Sequence, residues 1–158
     1  MEEVNQTLDY LWKKTYQGTD IDSVCIRADS DGTSGGLRAY QYRVCMRKDG
    51  IELDMRGRCS TGQKVLACIL IRLALADSFG GACGCMALDE PTTNLDRENV
   101  EALAASLVDL LAERQHQPNF QLIVITHDEE FLTRLSQSDA LEHYWRVSRD
   151  THLSLIHI

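Results

Sequence analysis

The chain has 158 residues, enough for one core that would bury roughly 70% of its unfolded surface if it folds alone. Hydrophobic residues make up 44% and charged residues 25%, the composition of a water-soluble globular protein, and no apolar stretch approaches the roughly 18 residues of a membrane span. The net charge of −8 argues against a self-sufficient nucleic-acid-binding module, since such domains are usually basic, but leaves room for a local patch or for contact through a larger assembly.

The first residues, Met1-Glu-Glu-Val-Asn-Gln6, lack the basic and apolar regions of a secretory signal, so an intracellular location is expected. Six cysteines at positions 25, 45, 59, 68, 83 and 85 form no regular framework. Cys83-Gly-Cys85 is a Cys-x-Cys and not the Cys-x-x-Cys of a zinc or redox site. Apolar neighbours at Cys68 and Cys85 predict small buried thiols, and no structural metal is implied.

Val4, Leu8, Leu11 and Trp12 make an apolar stripe on an otherwise polar helix over 2–16. That fits a helix lying on a sheet or the last turns of a coiled coil. Strand-like patterns follow around 21–28 and 39–47, separated by the turn-rich run Asp29-Ser-Asp-Gly-Thr-Ser-Gly-Gly36. Lys48-Asp-Gly50 predicts a hairpin turn into 51–55.

A helical pattern runs from Gly62 to Phe79 through Val65, Leu66, Ile69, Leu70, Leu73 and Leu75, and Gly80-Gly81 stops it. Residues 84–88 predict a short apolar strand, and 97–114 an amphipathic helix with Val100, Leu103, Ala104, Leu107, Leu110 and Leu111 on one face. Phe120-Gln-Leu-Ile-Val-Ile-Thr126 predicts a strand buried on both faces, as parallel strands are. A short helix over about 128–135 and a strand at His143–Val147 complete the pattern. Strands alternating with helices of this length predict an α/β fold with parallel core strands flanked by helices. There are no internal repeats.

Three constellations carry chemistry. The strand at 84–88 ends in Asp89-Glu90-Pro91. Ligands of parallel sheets bind beyond the carboxyl ends of the strands, and adjacent strand residues face opposite sides. One carboxylate can thus hold a metal while its neighbour reaches a water. Asp89 suits Mg²⁺ through the ion's water shell, and Glu90 suits polarisation of a water attacking a γ-phosphate. Solvated acids at a strand end are the plain alternative.

Arg58-Cys-Ser-Thr-Gly-Gln-Lys64 opens the long helix. Ser60 and Gln63 have capping-box spacing, worth about 1 kcal/mol. The same terminus is a potential anion site, with Thr61-Gly62 permitting close approach of a phosphate. Local chemistry does not choose between the two. Thr126-His127-Asp128-Glu129 follows the second apolar strand. Thr126 and Glu129 again have capping-box spacing, and His127 lies on the same sheet edge as Asp89.

Together these strings resemble the ABC-type ATPase family of the P-loop NTPase class. Ser60-Thr-Gly-Gln63 resembles its signature motif, Cys85-Met-Ala-Leu-Asp-Glu90 its Walker B strand, Thr93-Asn-Leu-Asp96 its D-loop and His127 its switch histidine. Within the family, Asp54-Met-Arg-Gly-Arg-Cys-Ser60 and Phe120-Gln-Leu-Ile-Val-Ile-Thr-His-Asp128 resemble the SMC-like coiled-coil ATPases of DNA double-strand-break repair. Cys59-Ser-Thr-Gly62 departs from the Leu-Ser-Gly-Gly of cohesin- and condensin-type relatives, and Thr61 from the small residue expected in the repair branch.

No Gly-x-x-x-x-Gly-Lys-[Ser/Thr] loop occurs in the chain. The resemblance implies that this loop lies on an N-terminal Walker A lobe, joined to a C-terminal lobe by a long coiled coil with a zinc-hook apex. It implies that 1–16 ends the returning coil, that 17–150 is the C-terminal lobe, and that Met1 is internal or an artificial start. It further implies cofactors ATP and Mg²⁺, with zinc only at a hook outside this chain. Catalytic roles fall to Glu90 and His127, and nucleotide or Mg²⁺ contacts to Asp89.

Ser60, Thr61, Gly62 and Gln63 would then reach the nucleotide held by a second copy, with Asp96 coupling the two sites. Arg56, Arg58 and Lys64 are candidates for relaying movement of the signature helix. The implied partners are the chain's own N-terminal lobe, a second copy, an Mre-eleven-type nuclease with its regulatory subunit, and double-stranded DNA on the chromosome in the nucleus, with no membrane. Thr151-His-Leu-Ser-Leu-Ile-His-Ile158 does not fit the pattern and is expected to be foreign, so that His152 and His157 are not ligands. The competing readings are a cohesin- or condensin-type ATPase, a transporter's nucleotide-binding domain, and a non-catalytic interaction module.

Overall fold

The computed structural model describes residues 1–30, 40–79, 85–114, 121–137, 144–149 and 155–157. Helix α1 spans Glu2–Thr15 and presents Val4, Leu8, Leu11 and Trp12 to the interior, all buried. Full burial of each such side chain contributes about 1.5–3 kcal/mol. The helix packs on α2, on α3 and on the first strand, so the apolar stripe read from the sequence is a core stripe. Trp12 Nε1 donates to the Ile21 carbonyl at 3.2 Å, satisfying the one polar atom of a buried indole.

Strands β1 (Ser23–Ser30), β2 (Tyr40–Lys48) and β3 (Ile51–Asp54) form an antiparallel sheet in that order. Lys48 pairs with Ile51, and both intervening residues have positive φ, Asp49 at 50° and Gly50 at 80°. That is the two-residue hairpin turn that matches strand twist. Asn5 on α1 clamps β1, its Nδ2 donating to the Ile26 carbonyl at 3.0 Å and its Oδ1 accepting from the Ile26 N–H at 2.7 Å. A side-chain amide thereby fills the backbone pair that an edge strand leaves open. Of the turn-rich run, Asp29 and Ser30 belong to β1 and the rest lies outside the described residues.

Helix α2 (Thr61–Phe79) crosses the middle of the core and buries Leu66, Ala67, Ile69, Leu70, Leu73 and Ala74. Strands β4 (Cys85–Asp89) and β5 (Gln121–Ile125) pair in parallel, with Asp89 opposite Ile125. Helix α3 (Arg97–Arg114) connects them, burying Val100, Leu103, Ala104, Leu107 and Leu110. Helix α4 (Glu129–Ser136) follows and inserts Phe131 and Leu135 into the same core. The parallel pair and its helices are the α/β core that the alternating pattern predicts.

Three expectations change. Among the described residues the parallel pair is covered on one face only. Leu88 is buried and Met86, Leu122 and Val124 pack on the core, whereas Ile123 and Ile125 stand 42% and 56% exposed on the other face. Apolar periodicity shows what a strand can bury, not whether this chain supplies the cover. The prediction of buried thiols fails at Cys68 and Cys85, which are exposed, while Cys45 is buried and Cys25 and Cys59 are half-buried. Cys83 lies outside the described residues.

The last predicted strand is also displaced. It is β6 (Val147–Arg149), and Tyr144–Arg146 precede it without regular structure. Strand β6 pairs antiparallel with β7 (Leu155–His157).

Candidate functional site

Asp89 and Glu90 leave the carboxyl end of β4 beside the carboxyl end of β5. The Glu90 N–H donates to the Ile125 carbonyl at 2.8 Å, extending the parallel pairing by one residue. Glu90 then adopts a left-handed φ of 46°, a conformation uncommon outside glycine. This breaks the strand's alternation and turns the carboxylate to His127, whose Nδ1 lies 2.8 Å from Glu90 Oε2. The approach is short but off-axis. Oε2 is shielded from solvent and lacks an aligned hydrogen-bond donor, so it keeps accepting capacity.

His127 is 85% exposed. The Glu90 carboxylate, by hydrogen-bonding proximity first and by charge second, holds its pKa above the ordinary 6.5, and Asp128 adds to the effect. Asp89, also exposed, follows the alternation of β4 on the open face of the sheet. The cap beyond His127 is not the predicted one. Asp128 is the N-cap of α4, its Oδ1 accepting from the Phe131 N–H at 3.0 Å. Thr126 Oγ1 accepts from the Asp128 N–H at 3.1 Å, and this local turn starts the helix three residues after Thr126 instead of one.

At the start of α2 the capping box forms as read. Ser60 Oγ accepts from the Gln63 N–H at 3.1 Å, and Gln63 Oε1 accepts from the Ser60 N–H at 2.9 Å. Gly62 is needed for a reason the sequence does not show. A Cβ there would stand 2.5 Å from the Asn94 carbonyl oxygen, so the helix start presses on the turn that follows Glu90. Asn94 itself has a φ of 64°. The two motifs are therefore in direct contact. Ser60 and Thr61 stay exposed, as do Arg56, Arg58 and Lys64.

Asp96 caps α3. Its Oδ1 accepts from the Asn99 N–H at 2.9 Å and its Oδ2 from Asn99 Nδ2 at 2.7 Å. These bonds, the backbone one first, hold its carboxyl below the usual aspartate range. Asn99 is buried and accepts in turn from the Gln17 N–H at 3.2 Å. Sequence reasoning missed Asn99 and the cap, although Asp-x-x-Asn has capping spacing. A cleft of about 770 Å³ opens here, with Ser60, Gly62 and Gln63 on one side and Asn94–Asn99 on the other.

Among the described residues no group of three or more His, Cys, Asp or Glu could hold a metal. Mg²⁺ keeps several waters and needs only one or two protein carboxylates, with phosphates supplying the rest. Asp89, exposed at the end of β4, is placed to supply one.

The chain is 56% identical over 150 residues to DNA repair protein RAD50 of Saccharomyces cerevisiae, covering 95% of this chain and 11% of that protein. It is 61% identical over 153 residues to DNA repair protein rad50 of Schizosaccharomyces pombe, covering 96% and 12%. The chain is a Rad50-type segment. It spans about a tenth of the length of these Rad50 relatives. Arabidopsis thaliana RAD50 matches at 53% over 95% of the chain. No protein-family model matches.

Solved SMC ATPase heads share the fold at low identity. The Smc head domain with a coiled coil and joint from Pyrococcus yayanosii has a TM-score of 0.67 at 19% identity, covering 99% of this chain and 26% of that one. A further SMC ATPase structure gives 0.64 at 18%, covering 99% and 83%. The Rad50-type chain thus has the SMC head-domain fold, with mixed α/β layers and a parallel pair.

Proposed function

We propose that the chain is the C-terminal lobe of the ATP-hydrolysing head of an SMC-like ATPase of DNA double-strand-break repair. One observation carries the reading: Glu90 and His127 face each other at the carboxyl ends of two parallel strands, with Glu90 Oε2 turned to His127 while the Glu90 side chain as a whole stays partly exposed. The exposed part of a carboxylate so placed can hold a water and take its proton as that water attacks a γ-phosphate. His127, its positive charge favoured by Glu90, lies beside the same point and complements phosphate charge. Asp89 would hold Mg²⁺ through water, and the ion when bound neutralises the β- and γ-phosphate oxygens.

The site is half of a composite. The chain has no phosphate-binding Gly-rich loop, and the open apolar face with Ile123 and Ile125 suits cover by the protein's own N-terminal Walker A lobe, since parallel sheets are ordinarily covered on both faces. ATP held by that lobe would meet Asp89, Glu90 and His127 in cis. Ser60, Thr61 and Gly62, exposed or half-exposed at the start of α2, would meet the nucleotide of a second copy, with the turn at 93–96 at the junction. ATP then joins two heads and Glu90 ends the association. A head of this kind works on double-stranded DNA in the nucleus with an Mre-eleven-type nuclease and its regulatory subunit. The relatives' printed role in DNA repair supports this wider setting.

Mass measurement on the head reconstituted with its N-terminal lobe tests the trans contact. ATP should double the mass of the wild-type head, and Ser60→Arg should leave it single. Doubling of the Ser60→Arg head would refute the contact.

A further inference from the structure

Gln63 is not a free side chain. Its Nε2 donates to the Tyr16 hydroxyl oxygen at 2.7 Å and to Asp20 Oδ2 at 2.8 Å. The Tyr16 hydroxyl donates to Asp20 Oδ1, which leaves its lone pairs facing Gln63. The Tyr16 ring is fixed by stacking on Trp12, with centroids 4.5 Å apart. Two acceptors on one side of an amide decide which way it faces. With Nε2 committed to Tyr16 and Asp20, only Oε1 can meet the Ser60 N–H, and it does, at 2.9 Å.

The same short segment also holds the facing loop. Gln17 N–H bonds to Asn99 Oδ1, and Asn99 Nδ2 bonds to Asp96 Oδ2. Both walls of the cleft are therefore tied to residues 16–20, directly after α1. Burial of Tyr16, and then its bond to Asp20, push the phenol up to about 12, so the hydroxyl stays protonated at neutral pH.

We propose that Tyr16 and Asp20 are positioning residues for the Ser60–Gln63 loop: they fix the orientation of the Gln63 amide and thereby the turn that the loop offers to a nucleotide. The nucleotide part rests on the function proposed above; the orientation of Gln63 does not.

The experiment is a double-mutant cycle in the full-length protein, read by hydrogen exchange of the peptide spanning 58–64 without nucleotide and by the apparent KM for ATP. Tyr16→Phe removes the acceptor and keeps the ring on Trp12. It should speed exchange of that peptide about fivefold, as loss of one hydrogen bond implies. In a Gln63→Ala background, where nothing remains to be oriented, the same change should have little effect. Asp20→Ala should act like Tyr16→Phe, and Asp20→Asn, which keeps one of the two accepting oxygens, should fall between Asp20→Ala and wild type. Exchange of the peptide spanning 4–12 should not change, which shows that α1 remains packed.

Equal acceleration in both backgrounds, or none in either, would overturn the proposal. The apparent KM should rise about as much as exchange does, with kcat within about twofold. Faster exchange with an unmoved KM would uphold the positioning and count against the nucleotide contact of the loop.

Discussion

His127 Nδ1 and Glu90 Oε2 stand 2.8 Å apart across the ends of two paired parallel strands. The contact raises the histidine pKa above 6.5. A histidine whose folded pKa exceeds its unfolded value contributes stability that is fully present below about 6.5 and is lost as pH rises through the folded value. His127 is largely exposed, so solvent screens that contribution and its main readout is the titration itself. NMR titration of His127 should give a pKa above 6.5 in the wild type and a return toward 6.5 in Glu90→Gln. A wild-type value at or below 6.5 would show that the pair does not form.

Gly62 and Asn94 give a second test. Because an added methyl would meet a backbone carbonyl at 2.5 Å, the helix or the turn must shift. Gly62→Ala should destabilise by roughly 1–3 kcal/mol, measured by urea denaturation. Thr61→Ala, at an exposed neighbour, should fall within about 0.5 kcal/mol of wild type. Equal stability of both variants would mean that the packing of the two motifs is looser than the structure has it.

Asp96→Ala should cost about 1 kcal/mol through loss of the α3 cap. The carboxyl is held below its ordinary value of 3.8, so its contribution is present above that value and lost as pH falls through the lower folded one. The difference between wild type and Asp96→Ala should therefore persist at pH 5 and shrink below about 3.8. A difference that is absent at pH 5 would contradict the cap.

The residues that sequence reasoning placed well are those whose partners are near in the chain. The capping box of Ser60 and Gln63, the Asp49-Gly50 turn and the stripe on α1 all form, because spacing alone determines them. The common edge of Asp89 and His127 was legible too, since parallel strands place their carboxyl ends together. Contacts across the chain were not. Asn94 beneath Gly62, Tyr16 and Asp20 around Gln63, and Gln17 on Asn99 join residues far apart in sequence, and no periodicity encodes them. Ile123 and Ile125 differ: their apolar pattern describes a covered strand, and the described residues do not cover them. At α4, two capping residues two positions apart competed, and the geometry of Asp128 won.

The central claim is that Glu90 becomes a water-activating carboxylate only when a second lobe supplies the phosphates. Phosphate release should be measured for the purified chain alone, for the chain mixed with its N-terminal lobe, and for the Glu90→Gln chain in the same mixture. The account predicts no turnover alone, turnover on mixing, and a loss of about 10²–10⁴-fold with Glu90→Gln. Turnover by the chain alone that is lost in Glu90→Gln, or full turnover by the Glu90→Gln mixture, would contradict it.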